Sequence, residues 1–178
     1  ALIIAASTID GDLTLTSGNS SGITDSGTVT VGGNLSATTD ANAGVINLGT
    51  MAVDGTIALT TNSTGAATIV NDAGLNFATT TVGGALTATA TTGDITDSGT
   101  LTITGASIFK TAATGSNIVL DSANNAFSAA VTMIADAGGE TFGNITFVDS
   151  AAIDFATSAS SNGDLYINAA TDGAVGGN

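Results

Sequence analysis

The side chains that could do chemistry are almost all carboxylates. The 178-residue sequence contains 15 Asp and Glu residues, no His, no Cys and one basic residue, Lys110. Nucleophile–His pairs and zinc sites built from His or Cys are therefore excluded. Three pairs of aspartates lie close together in the sequence: Asp10 with Asp12, Asp94 with Asp97, and Asp149 with Asp154.

Paired carboxylates can hydrolyse glycosidic bonds when both point into one cleft at a suitable separation. A polysaccharide-cleaving β-helix is therefore one candidate. Such enzymes generally bind sugar through Arg, Lys or aromatic side chains, and this sequence offers Lys110 and Tyr166. The sequence predicts that the protein is not an enzyme, and we assign no catalytic residue.

Calcium binding is a second possibility, because hard oxygen ligands are plentiful. The Gly-Gly-x-Gly-x-Asp calcium repeat does not occur, and Gly138-Gly139-Glu140 does not continue it. Asp25 and Asp97 occupy equivalent positions of a repeated phrase, which predicts either that they stack or that each bonds backbone donors at a corner. The second interpretation is favoured. We assign no metal or cofactor site, and calcium is left open.

Threonine pairs at a spacing of two are a third candidate feature. On a flat solenoid, aligned Thr-x-Thr rows resemble ice-binding faces, so an ice- or carbohydrate-binding module is an alternative function. The simpler interpretation is that Thr forms strands well and fills their outward half. The pairs are Thr14/Thr16, Thr28/Thr30, Thr87/Thr89 and Thr100/Thr102/Thr104.

Charge and hydropathy exclude several classes of partner. The formal net charge is −14, and a single Lys cannot form the basic surface that phosphate backbones or anionic lipids require. No stretch approaches the roughly 20 apolar residues of a transmembrane helix. The opening 1–6 is too short for a signal-peptide core and lacks an initiator Met. The sequence predicts no nucleic-acid partner, no membrane insertion, and a single segment, 1–178, cut from a longer repeat protein.

The dominant pattern is alternation of apolar residues with polar or small ones. Leu13/Leu15, Leu101/Ile103 and Ile145/Phe147 are examples, and a period of two places one set of side chains on one face of a strand. No window carries an apolar stripe at helical spacing. Turn formers such as Gly93-Asp94 separate the short runs. The sequence predicts an all-β protein with no helices of note.

A repeated phrase decides between all-β architectures. The sequence reads ITDSGTVTV at 23–31 and ITDSGTLTI at 95–103. Internal repeats of this kind indicate a solenoid, which tolerates extra loops in single coils. Leu13, Leu35 and Ile57 follow one another at equal intervals, which we interpret as the length of one coil. We therefore predict a parallel β-helix of about seven or eight coils of about 22 residues, in which the phrase marks the same corner in two coils, about three coils apart.

The repeats resemble those of a known class of protein. The phrase at 95–103, the block VGGALTAT at 82–89, and the segments at 117–120 and 124–131 are similar to the degenerate repeats of filamentous-haemagglutinin-type bacterial exoproteins. The resemblance implies a right-handed parallel β-helix that acts as a shaft, stalk or fibre at the cell surface. The sequence shows no secretion domain and no adhesive tip.

The sequence thus predicts a bacterial extracellular or cell-surface structural protein that forms a fibre, sheath or adhesin stalk by stacking of coils. Neither end shows an amphipathic capping helix, and an uncapped parallel edge invites pairing with another β-edge. We therefore expect the chain to associate with itself, by continuation of the same polypeptide or by end-to-end stacking of copies. A host or neighbouring cell surface is a further expected partner.

Overall fold

The computed structural model describes residues 1–40, 43–135, 143–154 and 164–169. These residues form twenty short strands and no helix. In chain order the strands are β1 (Leu2–Ile4), β2 (Ser7–Ile9), β3 (Leu13–Ser17), β4 (Ile23–Asp25), β5 (Val29–Val31), β6 (Leu35–Thr39), β7 (Ile46–Val53), β8 (Thr56–Thr60), β9 (Ala67–Asn71), β10 (Leu75–Phe77), β11 (Thr80–Val82), β12 (Leu86–Ala90), β13 (Ile95–Asp97), β14 (Leu101–Ile103), β15 (Ser107–Thr111), β16 (Ile118–Leu120), β17 (Ala126–Phe127), β18 (Val131–Ala135), β19 (Ile145–Asp149) and β20 (Leu165–Ala169).

Every pairing between the described strands is parallel and joins one coil to the next. The strands form a nine-stranded sheet, with β1-β4-β7-β9-β12-β15-β18 as its main path, and an eleven-stranded sheet that runs from β17 through β8 to β20. The chain alternates between the two sheets, which makes a β-solenoid of about seven turns spaced about 21 residues apart. The predicted register is confirmed, since Leu13 pairs with Leu35 and Leu35 with Ile57.

Alternation explains why these residues form strands around one core. In β6, β12 and β18 the first, third and fifth residues are buried, while the residues between them are only partly covered. The buried side chains of both sheets belong to a single hydrophobic cluster. Burial of that apolar surface is the main favourable term for a chain that contains no disulfide. Phe155, which the alternation with Ile153 predicts to point inward, lies outside the described residues.

Four phenylalanines form a column through this core. Phe109 of β15 meets the rings of Phe77 and Phe127 edge to face, with centroids 6.2 and 6.0 Å apart. Phe127 in turn lies 5.0 Å from Phe147 in a tilted arrangement. The column crosses from one sheet to the other, so it ties the two sheets together from the fourth coil onward.

Each coil consists of two half-coils, one in each sheet, and the half-coils are of two kinds. A short half-coil is one strand of about five residues, such as β6. A long half-coil has eight to ten residues and contains a bend, as in 23–31, or one long strand, as in β7. The long half-coils lie in the nine-stranded sheet up to β7. After β8 and β9, which are two consecutive short half-coils, the long ones lie in the eleven-stranded sheet.

This switch corrects the interpretation of the repeated phrase. Its first copy forms β4 and β5 in the nine-stranded sheet, and its second forms β13 and β14 in the eleven-stranded sheet. The two copies are therefore about three and a half turns apart along the solenoid, and not three. The phrase forms two strands and the bend between them within one face. It does not form the corner between the two faces.

Candidate functional site

Carboxylate and amide side chains line the corner that leads into the eleven-stranded sheet. Asp12 Oδ1 accepts a hydrogen bond from the Asn34 amide at 2.7 Å, and Asn34 Oδ1 accepts one from the Thr56 amide at 2.8 Å. Each side chain thus bonds the backbone of the next coil, and not the backbone of its own turn as Asp and Asn at corners were expected to do. After the switch a second run repeats the arrangement through Asp94, Asn117, Asn144 and Asp164.

Asp25 and Asp97 each bind the middle of the long half-coil in the following coil. The carboxylate of Asp25 accepts hydrogen bonds from the Gly49 amide at 3.0 Å and from both the amide and the hydroxyl of Thr50 at 2.6 Å. Burial alone would raise the pKa of Asp25, but hydrogen bonds from the Thr50 hydroxyl and the nearby amides outweigh burial and lower that pKa below its ordinary value.

Asp97 plays the same part in the other sheet. Its carboxylate accepts hydrogen bonds from the amides of Asp121 and Ser122 and from the side-chain amide of Asn125, the last at 2.6 Å. Because Asp25 and Asp97 lie in different sheets, the prediction that they stack on each other is wrong. The alternative, that each satisfies backbone donors, agrees with the geometry.

The three acidic pairs do not form three matching sites. Asp10 and Asp12 are both exposed at a corner. Asp94 bonds the Asn117 amide, while Asp97 bonds the bend on the same face. Asp149 points into the core and is fully buried, whereas Asp154 is exposed.

Two grooves flank the switch between long and short half-coils. One, of about 270 Å³, is lined by Asp54, Gly74, Asn76, Asp94 and Thr96 among others. It lies where the run of corner side chains beginning at Asp12 gives way to the run beginning at Asp94. In the described part of the chain, no group of three or more Asp or Glu residues is close enough to hold a metal ion.

The second groove, of about 250 Å³, is lined by Thr28, Thr50, Met51, Val70 and Asp72 among others. It opens where the middle of the long strand β7 meets the shorter β9, and the register of the two strands shifts between Leu48 and Met51. A groove is therefore the geometric result of stacking a five-residue half-coil on an eight-residue one.

The predicted Thr-x-Thr pairs are divided between the two sheets. Thr28/Thr30 and Thr87/Thr89 lie with the nine-stranded sheet, while Thr14/Thr16 and the Thr100–Thr104 group lie with the eleven-stranded one. A single column of threonines nevertheless runs up the outer face of the eleven-stranded sheet, one from each of five successive coils: Thr16, Thr38, Thr60, Thr81 and Thr102. We call this set the threonine column. The predicted Thr-x-Thr pairs did not reveal it because Thr38, Thr60 and Thr81 belong to none of them, although neighbouring members of the column are 21 or 22 residues apart in the sequence.

The exposed acidic residues concentrate on one edge of the solenoid. The corner leading into the eleven-stranded sheet carries Asp10, Asp12, Asp54, Asp72, Asp94 and Asp164. Among the described residues, the opposite corner carries Asp40 and Asp154. The edge therefore has a strongly negative potential, which screening by salt reduces. No helix in the described ranges is long and apolar enough to span a bilayer.

The core also contains polar side chains that the sequence pattern did not predict. Asn71, Thr80, Asn125 and Asp149 are all fully buried, and each accepts a hydrogen bond from a backbone amide of the preceding coil. A signal did exist for Asn71, which continues the inward alternation of Ala67 and Ile69. A polar residue at an inward position predicts a buried hydrogen bond.

Comparison with known proteins gives one match. A family described as "Repeats of unknown function (DUF5649)" matches residues 64–134. The matched segment covers less than half of the chain. It begins in the turn between β8 and β9, where the two short half-coils follow each other, and it ends in β18. No significant match was found among curated proteins or among solved structures. The chain is thus a repeat-containing β-helical protein.

Proposed function

We propose that the chain is a segment of an extracellular bacterial structural protein, in which stacked coils form the shaft of a fibre, sheath or adhesin stalk. The observation that carries the proposal is the unbroken coil-to-coil pairing in both sheets. A rod of about seven coils at about 4.8 Å per coil spans about 35 Å. Its length grows with every added coil, while its cross-section stays constant.

The bonds between coils support a mechanical role. Besides the backbone ladders, side chains at the corners and in the core each link one coil to the next, as Asn34, Asn117 and Asn71 do. Such links run along the rod axis and share an axial load among many parallel bonds. The negative edge discourages lateral association of neighbouring rods, since like charges repel.

Inward leucine side chains are exposed on the first and last described coils, which supports association along the axis. Leu2 pairs with the fully buried Ile23 yet is 36% exposed, and Leu165 pairs with the fully buried Ile145 yet is 50% exposed. Both side chains occupy inward positions that another coil would cover. We propose that this coil comes from the same polypeptide or from a second copy. Sedimentation of wild type and Leu165→Asp across a concentration series would distinguish axial self-association from a monomer.

We further propose that the parent protein is a bacterial exoprotein of the filamentous-haemagglutinin type. It is supported by the repeats at 82–89 and 95–103 and by the parallel solenoid into which they fold. In such a protein the segment would hold an adhesive region away from the bacterial surface. The partner bound by that region, a host or neighbouring cell, would contact another part of the protein.

Localisation tests the proposal directly. Antibodies raised against the purified chain should label intact source cells, and brief protease treatment of those cells should remove the signal while a cytosolic marker survives. Labelling that appears only after permeabilisation would refute an extracellular shaft. Small-angle scattering of a longer chain that carries additional repeats should show a maximum dimension that grows by about 4.8 Å per added coil, and a maximum dimension that does not grow would refute the spanning role separately.

The threonine column favours a second candidate, a module that binds ice or a polysaccharide through its outer face. Five hydroxyl-bearing side chains at the strand spacing of about 4.8 Å form a regular array. Thr38→Val with Thr60→Val should abolish thermal hysteresis or polysaccharide retention, whereas Thr68→Val with Thr87→Val on the other sheet should not. If the wild-type chain shows neither activity, this candidate is refuted.

A further inference from the structure

Four of the buried polar side chains, Asn71, Thr80, Asn125 and Asp149, occupy equivalent chemical positions. Each lies in the core and accepts a hydrogen bond from the backbone of the preceding coil: Asn71 from Val53, Thr80 from Leu59, Asn125 from Leu101 and Asp149 from Phe127. All four are 0% exposed. Three of them are uncharged amides or hydroxyls. The position therefore accommodates a neutral polar group, and Asp149 is the one ionisable member.

The contacts of Asp149 fit a neutral carboxyl better than a carboxylate. Its Oδ1 atom accepts long hydrogen bonds, from the Phe127 amide at 3.4 Å and from the Ala151 amide at 3.2 Å. Its Oδ2 atom is buried and has no hydrogen-bond partner. A buried carboxylate normally needs several donors or a cation to offset its lost hydration. Asp25 and Asp97, by contrast, each receive three hydrogen bonds at the surface.

No cation in the described structure compensates Asp149. The effects that act on its ionisation are burial and hydrogen bonds from backbone amides. Burial raises the pKa of Asp149 above the ordinary value of 3.8, and the amides offset only part of that effect. The titratable side chains on the elements around it, apart from the outward Lys110 of β15, are acidic groups: Asp97, Asp121, Asp154, Asp164 and Tyr166.

We propose that Asp149 is a proton-binding site in the core, and that the folded chain holds it as a neutral carboxylic acid. The C-terminal coils are then more stable in acid than at neutral pH. At neutral pH the coil containing β19 must either bury an uncompensated charge or retain the proton. The site gives this part of the solenoid a response to acidification that does not depend on the proposed surface role.

The direction of the pH dependence follows from the two states. Where the folded pKa exceeds the unfolded one, the folded chain binds more protons, so stability falls as pH rises. The contribution is complete below the unfolded value of about 3.8 and is lost as pH rises through the folded pKa. Each pKa unit of difference changes the folding equilibrium constant about tenfold.

The first test observes the proton itself. In the full 178-residue chain, the side-chain carboxyl carbon of Asp149 is assigned by NMR and followed as a function of pH. We expect its midpoint clearly above 3.8, with Asp154 as the exposed comparison in the same spectra. A midpoint for Asp149 at or below that value would overturn the proposal, and this measurement requires no variant to fold.

The second test isolates the energetic consequence. Denaturant unfolding of wild type, Asp149→Asn and Asp154→Asn is measured from pH 4 to pH 8. As pH rises, the folding equilibrium constant of wild type should fall relative to that of Asp149→Asn. The fall should be about tenfold for each unit that separates the folded and unfolded pKa values of Asp149. Asp154→Asn should follow wild type. Parallel curves for wild type and Asp149→Asn would contradict the proposal.

Discussion

Asn71 lies where the long half-coils move from one sheet to the other, and its replacement should destabilise the chain severely. β9 ends at Asn71, while the long strand β7 below it continues to Val53. The side-chain amide of Asn71 extends the ladder: Oδ1 accepts from the Val53 amide at 2.8 Å, and Nδ2 donates to the Val53 carbonyl at 3.0 Å. Nδ2 also donates to the Gly74 carbonyl at 2.8 Å. The side chain thereby takes the place of a peptide group.

The expected magnitude follows from the groups left unpaired. Asn71→Ala removes all three hydrogen bonds and leaves both backbone groups of Val53, which is 2% exposed, without a partner. Each unsatisfied buried group costs about 1–3 kcal/mol, so we expect a loss of about 3–5 kcal/mol. A loss of that size is a large fraction of the stability of a typical domain. Asn71→Asp should also destabilise strongly, because a carboxylate accepts from the Val53 amide but cannot donate to the two carbonyls.

The assay is denaturant unfolding, combined with hydrogen exchange at the Val53 amide. Asn47→Ala is the matched control, because Asn47 lies on the exposed face of β7. We expect the control to remain within about 0.5 kcal/mol of wild type. If Asn71→Ala were as stable as the control, or if exchange of the Val53 amide were unchanged, the view that Asn71 substitutes for a missing ladder bond would be refuted.

Three further substitutions test the packing and the bends. Gly22 has φ +71°, and a Cβ there would collide with the backbone of Val45. Gly22→Ala should therefore lower the melting temperature much more than Gly11→Ala, because a Cβ at Gly11 would meet no atom. Equal melting temperatures for the two variants would contradict the close approach of Gly22 to Val45. Phe109→Ala should cost about 3–5 kcal/mol in denaturant unfolding because it empties the centre of the aromatic column, whereas Ile108→Ala on the outer face should cost far less; similar losses would contradict that packing. Since the pKa of Asp25 is lowered in the folded state, its contribution is present above the unfolded value and lost as pH falls. Asp25→Asn should therefore destabilise the chain at neutral pH and have less effect in acid, and a deficit independent of pH would argue against the proposed hydrogen bonding.

The sequence predicted the features that depend on local pattern. Alternation identified inward residues such as Leu35, Ile103 and Phe147, and all three are buried. The spacing of Leu13, Leu35 and Ile57 predicted their direct pairing, which β3, β6 and β8 show. Corner Asp and Asn residues were predicted to bond backbone groups, although the groups they bond lie in the next coil and not in their own turn. These features are predictable because a period of two and the chemistry of turns act over a few residues.

What the sequence could not reveal was which sheet each phrase occupies. Long and short half-coils bury the same alternation of side chains, so the copies of the phrase at 23–31 and 95–103 pack equally well in either sheet. The sheet is decided by the number of half-coil steps from one copy to the other. If long and short half-coils alternated strictly, the number would be even and both copies would lie in the same sheet. Two short half-coils, β8 and β9, follow each other, so the number is odd and the second copy lies in the other sheet.

The consecutive short half-coils also explain where the surface departs from a uniform rod. The short strand β9 stacks on the longer β7, which forces the register shift between Leu48 and Met51 and opens the groove lined by Thr50 and Met51. The long half-coil formed by β10 and β11 stacks on the short β8, and the groove lined by Asp54 and Asp94 opens at the adjacent corner. The family match begins at the same point, at residue 64. Asn71 closes the backbone gap in the core at this junction. The two grooves and the buried amide of Asn71 therefore have one physical origin: two short half-coils follow each other in a chain that otherwise alternates long and short half-coils.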